Sequence, residues 1–205
     1  MARSPLQSKL FSFNGVVLSL GLAAFGLSGC TAVVGAGAVA GIGSVQERGL
    51  EAAAIDTRLE FNVIHNWAEK SLRIPTQISI EVYEGRALLT GIVPKKDENL
   101  RAEAVRLTWK VPGIKKVYNE IKIADSGVWD LTRDSWITAQ LKTKVTFDKE
   151  IFAINYAIET VGGAVYLIGI AQHAAELERI KAHARSISYV QKVVSHVRMK
   201  SENPL

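Results

Sequence analysis

The chain predicts an α+β protein: two tandem modules, each running helix, strand, strand, helix, strand (αββαβ), behind a segment that directs export. Three observations carry this. The second half of the chain repeats the first at a constant offset of 78 residues over positions 56–93. Asp56-Thr57-Arg58-Leu59 returns as Asp134-Ser135-Trp136-Ile137, and the run from Glu84-Gly85 to Gly91-Ile92 returns as Gly162-Gly163 to Gly169-Ile170. Inside each repeat the apolar spacing switches between the helical period and the strand period of two. The single cysteine, Cys30, follows a short basic stretch and an apolar run in an order that describes an export signal.

The elements follow in chain order. Arg3 and Lys9 form a positive n-region, Val16 to Leu27 an apolar h-region, and Ser28-Gly29 a small-residue cleavage site. Residues 30–55 contain glycines at 35, 37, 41 and 43 and read as a flexible tether. Gly35-Ala36-Gly37 begins like a dinucleotide fingerprint, but Gly41 falls one position late and no strand precedes it, so that motif fails its context. The first module spans 56–124. Ile55, Leu59, Val63 and Trp67 recur every four residues and predict an amphipathic helix with Asp56 as N-cap. Ile78, Ile80 and Val82 alternate as a strand, Glu84-Gly85 turns the chain, and Ala87 to Val93 returns as a second strand. Leu100, Ala104, Leu107 and Val111 predict another helix that Pro112-Gly113 ends, and Val117, Asn119, Ile121 and Ile123 alternate as the last strand.

A helix between the second and third strands implies a right-handed crossover to a parallel neighbour. Each module is therefore expected to be a three-stranded mixed sheet with two helices on one face. After a linker over 125–133 the order recurs in 134–200, opening on Ile137, Leu141 and Val145 with Asp134 as N-cap, and 201–205 is a tail. The final strands match at an offset of 76, so the second module is two residues shorter before its last strand. Two copies fall short of a solenoid, so each module is expected to own a core.

These residues resemble the BON domain family. The likeness rests on the glycine pairs Gly85/Gly91 and Gly163/Gly169, the helix exit from Val111 to Ile114, and the Val117-x-Asn119-x-Ile121 strand. The second module departs at the helix exit, where the place of Gly113 falls on Gln191 by simple spacing or on Tyr189 with the gap allowed. Two such modules behind this signal resemble the family's outer-membrane lipoproteins. That implies phospholipid binding, membrane contact through the first helix of the second module, and a role in envelope integrity.

Leu27-Ser28-Gly29-Cys30 resembles a bacterial lipobox, which implies a diacylglyceryl and acyl-modified Cys30 as the mature N-terminus. Thr31 in place of aspartate implies an outer-membrane rather than an inner-membrane address. The alternative is an uncleaved membrane span. The twelve residues from Val16 to Leu27 reach about 18 Å as a helix against a hydrocarbon core of roughly 30 Å, although apolar chain continues to Val45. A lone cysteine leaves no disulfide within the chain.

The expected membrane contact is the outer ridge of the second module's first helix, where Trp136, Gln140, Thr143 and Phe147 align, with Lys142 and Lys144 beside them and Trp129 upstream. An indole beside lysines suits the headgroup level of an anionic phospholipid bilayer. Arg58 stands at the equivalent place in the first module. The alternative puts Trp136 in a groove between the modules. Trp67 reads as core, and Trp109 as core or inter-module contact.

Composition excludes other classes. The formal net charge of +5 falls to +3 when Arg3 and Lys9 leave with the signal, far from a nucleic-acid footprint. His65, His173, His183 and His196 are scattered without a second cysteine, so no metal site is expected. Asp97-Glu98 and Glu176-x-Glu178 read as acidic pairs on exposed helix starts, and Ser135 and Ser195 lack a nucleophile elbow. The expected function is non-enzymatic, with no cofactor beyond the lipid on Cys30. The alternatives are a lipid-tethered scaffold that engages an envelope protein partner in an assembly or secretion machine, and an osmotic-stress periplasmic protein. Oligomeric state is left open.

Overall fold

A computed structural model describes residues 46–124 and 131–202. Cys30, the signal before it, residues 30–45 of the expected tether and Trp129 lie outside the described residues. Two expected bounds are corrected: residues 49–55 of the tether and 131–133 of the linker are already helical, because each opening helix extends N-terminally beyond its buried aspartate. The first module comprises α1 (Gly49–Lys70), a short α2 (Arg73–Gln77), β1 (Ile78–Tyr83), β2 (Arg86–Val93), α3 (Asn99–Trp109) and β3 (Lys116–Ile123). The second comprises α4 (Leu131–Phe147), β4 (Tyr156–Val161), β5 (Ala164–Ala171), α5 (Ala174–Arg185) and β6 (Lys192–Met199). Each sheet is mixed. The central strand pairs antiparallel with its hairpin partner and parallel with the strand that follows the crossover helix. Short 3₁₀ turns at Lys95–Asp97 and Ala153–Asn155 are additions to the expected order.

Each module closes its own core. In the first, Leu59, Val63 and Trp67 of α1 meet Ile78, Ile80 and Val82 of β1, Ala87, Leu89 and Val93 of β2, and Ala104 and Leu107 of α3. Trp67 is fully buried and its indole N–H donates to the Ala104 carbonyl at 3.0 Å, so the ring adds apolar area without an orphaned donor. Ile137, Leu141 and Val145 occupy the same places in the second core.

The expected N-caps are corrected. α1 begins at Gly49, seven residues before Asp56, and Asp134 is the fourth residue of α4, so both aspartates sit on the buried stripes of their helices. Their carboxylates instead strap the helix to the hairpin turn. Asp56 accepts from Glu84 N–H at 2.8 Å and Gly85 N–H at 2.9 Å; Asp134 accepts from Gly162 N–H at 2.6 Å and Gly163 N–H at 2.9 Å. Both central residues of each turn have positive φ, the primed geometry that matches strand twist, and such turns leave two N–H groups pointing at the helix. Gly91 and Gly169 are required for another reason: a Cβ there would lie 2.2 Å from the Gln77 carbonyl or 2.0 Å from that of Asn155.

The modules pack through the sheet faces that carry no helices. β2 and β5 are buried at every position, which means both of their faces are covered. Tyr83 and Leu88 meet Ala164, Tyr166, Ile168 and Ile170, flanked by Tyr118, Ala157, Val161 and Val194. Burying each large side chain here contributes roughly 1.5–3 kcal/mol. The resulting order of layers is helices, sheet, sheet, helices.

The polar contacts across this seam are reciprocal. Lys122 donates to the Val161 carbonyl at 3.1 Å, and Arg198, its counterpart by the offset of 76, makes a double bond pattern to Glu84 at 2.6 and 2.5 Å. Glu120 meets its own counterpart His196 at 2.9 Å, and His196 stacks on Tyr118 with centroids 4.0 Å apart. Arg86, nearly fully buried, donates to the carbonyls of Gly169 and His196 at 2.9 Å each. Apart from Arg86, whose counterpart is Ala164, this is the pattern of an isologous two-fold interface, contained within one chain.

Glu81 and its counterpart Glu159 also meet on the seam. Burial, then the charges of Glu60 and Glu159, push the Glu81 carboxyl up to about 8, against the pull of the Lys142 ammonium. Glu159 is raised as well, chiefly by burial. A raised acid contributes least where it must ionise, so stability is expected to be highest near the ordinary carboxylate range and to fall as pH rises through about 8. Glu81→Gln should flatten that decline in urea unfolding midpoints measured across the range. A variant as steeply pH-dependent as the wild type would show that the pair does not set the slope.

Candidate functional site

α4 places the expected ridge on the outer face of the second module. Trp136 is 44% exposed and Phe147 81%, with Gln140, Thr143 and Lys144 exposed on the same helix. The ridge from Trp136 to Phe147 is about 16 Å long at the helical rise. The groove alternative for Trp136 is corrected: the seam is made by sheets, and the helices face away from it. Trp109, expected in the core or at the seam, is 51% exposed at the end of α3 and takes part in neither.

Lys142 departs from the expected cluster. At about 100° per residue it points well round the helix from Trp136, is half-buried, and its charge acts on Glu81 and Glu159. Two rotations of a helix do not keep every neighbour of a ridge residue on the ridge. The Thr143 hydroxyl is also engaged, donating to the Ala139 carbonyl at 2.9 Å.

Two residues that the sequence reading missed complete the upper end of the ridge. Tyr189, in the turn between α5 and β6, lies edge-on to Trp136 with ring centroids 6.3 Å apart and is 63% exposed. The Arg133 guanidinium, one turn before Trp136, sits 4.9 Å from the centre of the Tyr189 ring. The signal for Tyr189 was the helix-exit glycine. Gly113 has φ of +102° and Tyr189 has +70°, so the gap-adjusted alignment is the correct one.

The lower end is basic. Phe147, Lys144 and Lys149 line a shallow groove with Asp148, Arg179 and His183. Hydrogen bonds from Arg179 and His183, each 2.6 Å, hold the Asp148 carboxyl well below the usual range, so its charge is tied down by its neighbours.

The acidic pairs are corrected in part: Glu98 and Glu178 are exposed as expected, but Asp97 and Glu176 are not. Asp97 is buried and pairs with Arg73, while Glu176 is buried and accepts from Phe152 N–H at 2.8 Å and Gln172 N–H at 2.6 Å. Glu176 satisfies loop backbone rather than facing solvent, because a loop packed beneath a helix start carries N–H groups that must be paired, while Asp97 is held by the Arg73 guanidinium. Among the described residues no group of three or more His, Cys, Asp or Glu is placed to hold a metal, and no helix is long and apolar enough to cross a membrane.

Two αββαβ modules joined through their sheets, with an aromatic and cationic ridge on one outer helix, define a tandem small-domain protein. The chain belongs to the BON domain family, whose model matches residues 55–125 and 133–201. It is similar to the outer membrane lipoprotein DolP of Haemophilus influenzae, 32% identical over 95% of this chain and 96% of that protein. An uncharacterised protein from the gshII 5′ region of Anaplasma centrale is 40% identical over 61% of this chain and 83% of its own length. A 21 kDa hemolysin of Actinobacillus pleuropneumoniae is 32% identical over 69% of this chain and 74% of its own.

Proposed function

We propose that this protein is a non-enzymatic lipoprotein, anchored through acylated Cys30 at the periplasmic face of the outer membrane, that binds anionic phospholipid through α4 and supports envelope integrity. The near full-length relationship to an outer membrane lipoprotein supports the address. The observation that carries the binding surface is its asymmetry. The two modules share the αββαβ order and the sheet topology, yet the second bears exposed Trp136 and Tyr189 where the first bears Arg58 and Gly113. An indole at headgroup level with cations beside it is the chemistry of a bilayer interface. Because the acyl chains already hold the protein in place, a weak second contact acts at high effective concentration and selects among lipids. No cofactor beyond the covalent lipid enters this reading.

Vesicle flotation of the chain from residue 31 onward tests it; both cores and every contact between them lie in that stretch. Trp136→Glu is expected to weaken binding to anionic vesicles by about tenfold, the equivalent of roughly 1.4 kcal/mol, while leaving the fold intact. Arg58→Glu should have a smaller effect. Unchanged flotation of Trp136→Glu would place the lipid surface elsewhere.

A second reading, a lipid-tethered scaffold, draws on the outer face of α1. Leu50, Phe61 and Ile64 are exposed there and Leu72 just beyond its end, with Phe61 stacked on His65 at 6.4 Å. The sheet-to-sheet seam turns this face away from α4, so one membrane surface does not cover both. A protein that floats only when acylated would favour this reading.

A further inference from the structure

Two residues other than glycine adopt left-handed backbone among the described residues, Glu84 and Tyr189. Each stands where the other module has a glycine: Gly162 for Glu84, Gly113 for Tyr189. A side chain held in that region is strained, so each departure from glycine calls for a reason in what the side chain does. For Glu84 the reason lies in the fold, since its carboxylate receives both Arg198 nitrogens across the seam at 2.6 and 2.5 Å. Tyr189 has no such account. Its ring is 63% exposed, and the aromatic and cationic contacts it makes are with exposed Trp136 and with Arg133.

The backbone route that forces this conformation is shared by both modules. Lys115 N–H donates to the Gly85 carbonyl at 2.8 Å, and Gln191 N–H to that of Gly163 at 2.8 Å, so each turn before the last strand is pinned to its hairpin. In the first module the place of the tyrosine side chain is crowded, since a Cβ on Gly113 would lie 3.0 Å from a Leu59 methyl. The second module alone builds out from this point.

We infer that Tyr189 is a lipid-contacting residue that, with Trp136 and Arg133, forms one headgroup subsite at the upper end of the α4 ridge. The ligand class is an anionic glycerophospholipid within a bilayer. Arg133 faces the phosphate, and the two rings, set edge to face, occupy the glycerol and upper acyl level where amphipathic aromatics settle. This rests on the membrane-binding reading of α4. It goes beyond that reading by assigning a residue outside α4, contributed by the turn after α5.

The test is flotation of the chain from residue 31 onward with mixed phosphatidylglycerol and phosphatidylethanolamine vesicles, beside vesicles of phosphatidylcholine alone. Tyr189→Gly restores the residue that the first module uses, and it is expected to bind the anionic vesicles about tenfold more weakly with an unchanged or raised Tm. Tyr189→Asn, which tolerates the same backbone, should show the same loss, and Tyr189→Phe should bind within about twofold of the wild type. A gain or retention of stability together with lost binding is the signature that a packing role does not produce. Tyr189→Gly that binds like the wild type while Trp136→Glu does not would overturn this assignment and leave the α4 reading standing. Loss of folding in both Tyr189→Gly and Tyr189→Asn would make the ring a packing residue and overturn it too. A wild-type protein that floats with neither vesicle would remove both.

Discussion

Replacing Cys30 by alanine is expected to release the protein from membranes into the soluble periplasmic fraction, the largest effect of any single substitution in the chain. Burying acyl chain is worth about 0.8 kcal/mol per methylene, so two or three chains anchor effectively for good, whereas one gives only marginal binding. On the proposed reading, what remains after their loss is the α4 ridge, a contact strong enough to register on anionic vesicles but too weak to hold the protein at the membrane without the tether. Membrane fractionation of wild type and Cys30→Ala measures this directly. A Cys30→Ala protein that stays fully with membranes would mean that the apolar stretch before it, or the folded modules, do the anchoring. Wild type recovered with inner rather than outer membranes would instead contradict the address read from Thr31.

Asp134→Ala is expected to destabilise the second module by about 3 kcal/mol, far more than loss of a helix cap. An N-cap aspartate is worth typically about 1 kcal/mol. Asp134 instead accepts two N–H groups from the Gly162-Gly163 turn at 2.6 and 2.9 Å while buried, and its loss orphans both donors in a site that water does not easily enter. Asp134→Asn keeps one acceptor oxygen and should fall between alanine and wild type. Urea unfolding resolves the difference, because about 3 kcal/mol shifts the midpoint by roughly 1–3 M at ordinary m-values. A loss near 1 kcal/mol for Asp134→Ala would show that the helix-to-turn strap contributes no more than a cap. Asp56→Ala provides the internal comparison, with the same two turn N–H groups and in addition the Arg48 guanidinium at 2.8 Å.

Much of the module was legible from spacing. The four-residue recurrence of Leu59, Val63 and Trp67, the alternation of Ile78, Ile80 and Val82, and the Glu84-Gly85 turn each report contacts within one element or between adjacent ones, and these have fixed periods. The repeat then doubled the reading. It also located the two-residue gap, and the left-handed φ of Tyr189 shows on which residue the helix exit falls. The seam left a trace that went unused. Val165 to Ile168 forms a continuous apolar run, and Leu88-Leu89 and Ile92-Val93 are adjacent apolar pairs rather than alternating residues, a pattern that marks a strand covered on both faces.

By itself, the sequence determined the two αββαβ modules and their cores, because backbone periodicity alone decides which side of a helix or strand is buried; that Trp136 is exposed rather than in a groove between the modules was decided by the tertiary structure. Only the tertiary structure decided what lies opposite each buried or half-buried polar group: Asp134 against its turn, Lys142 against Glu81 and Glu159, Arg198 against Glu84, Tyr189 beside Trp136. These partners lie on different elements, separated by 28 residues for Asp134 and its turn and by 114 for Arg198 and Glu84. A charge or ring carries no periodic mark of its partner, and which one it meets is settled when the sheets close and each desolvated polar group must find its complement.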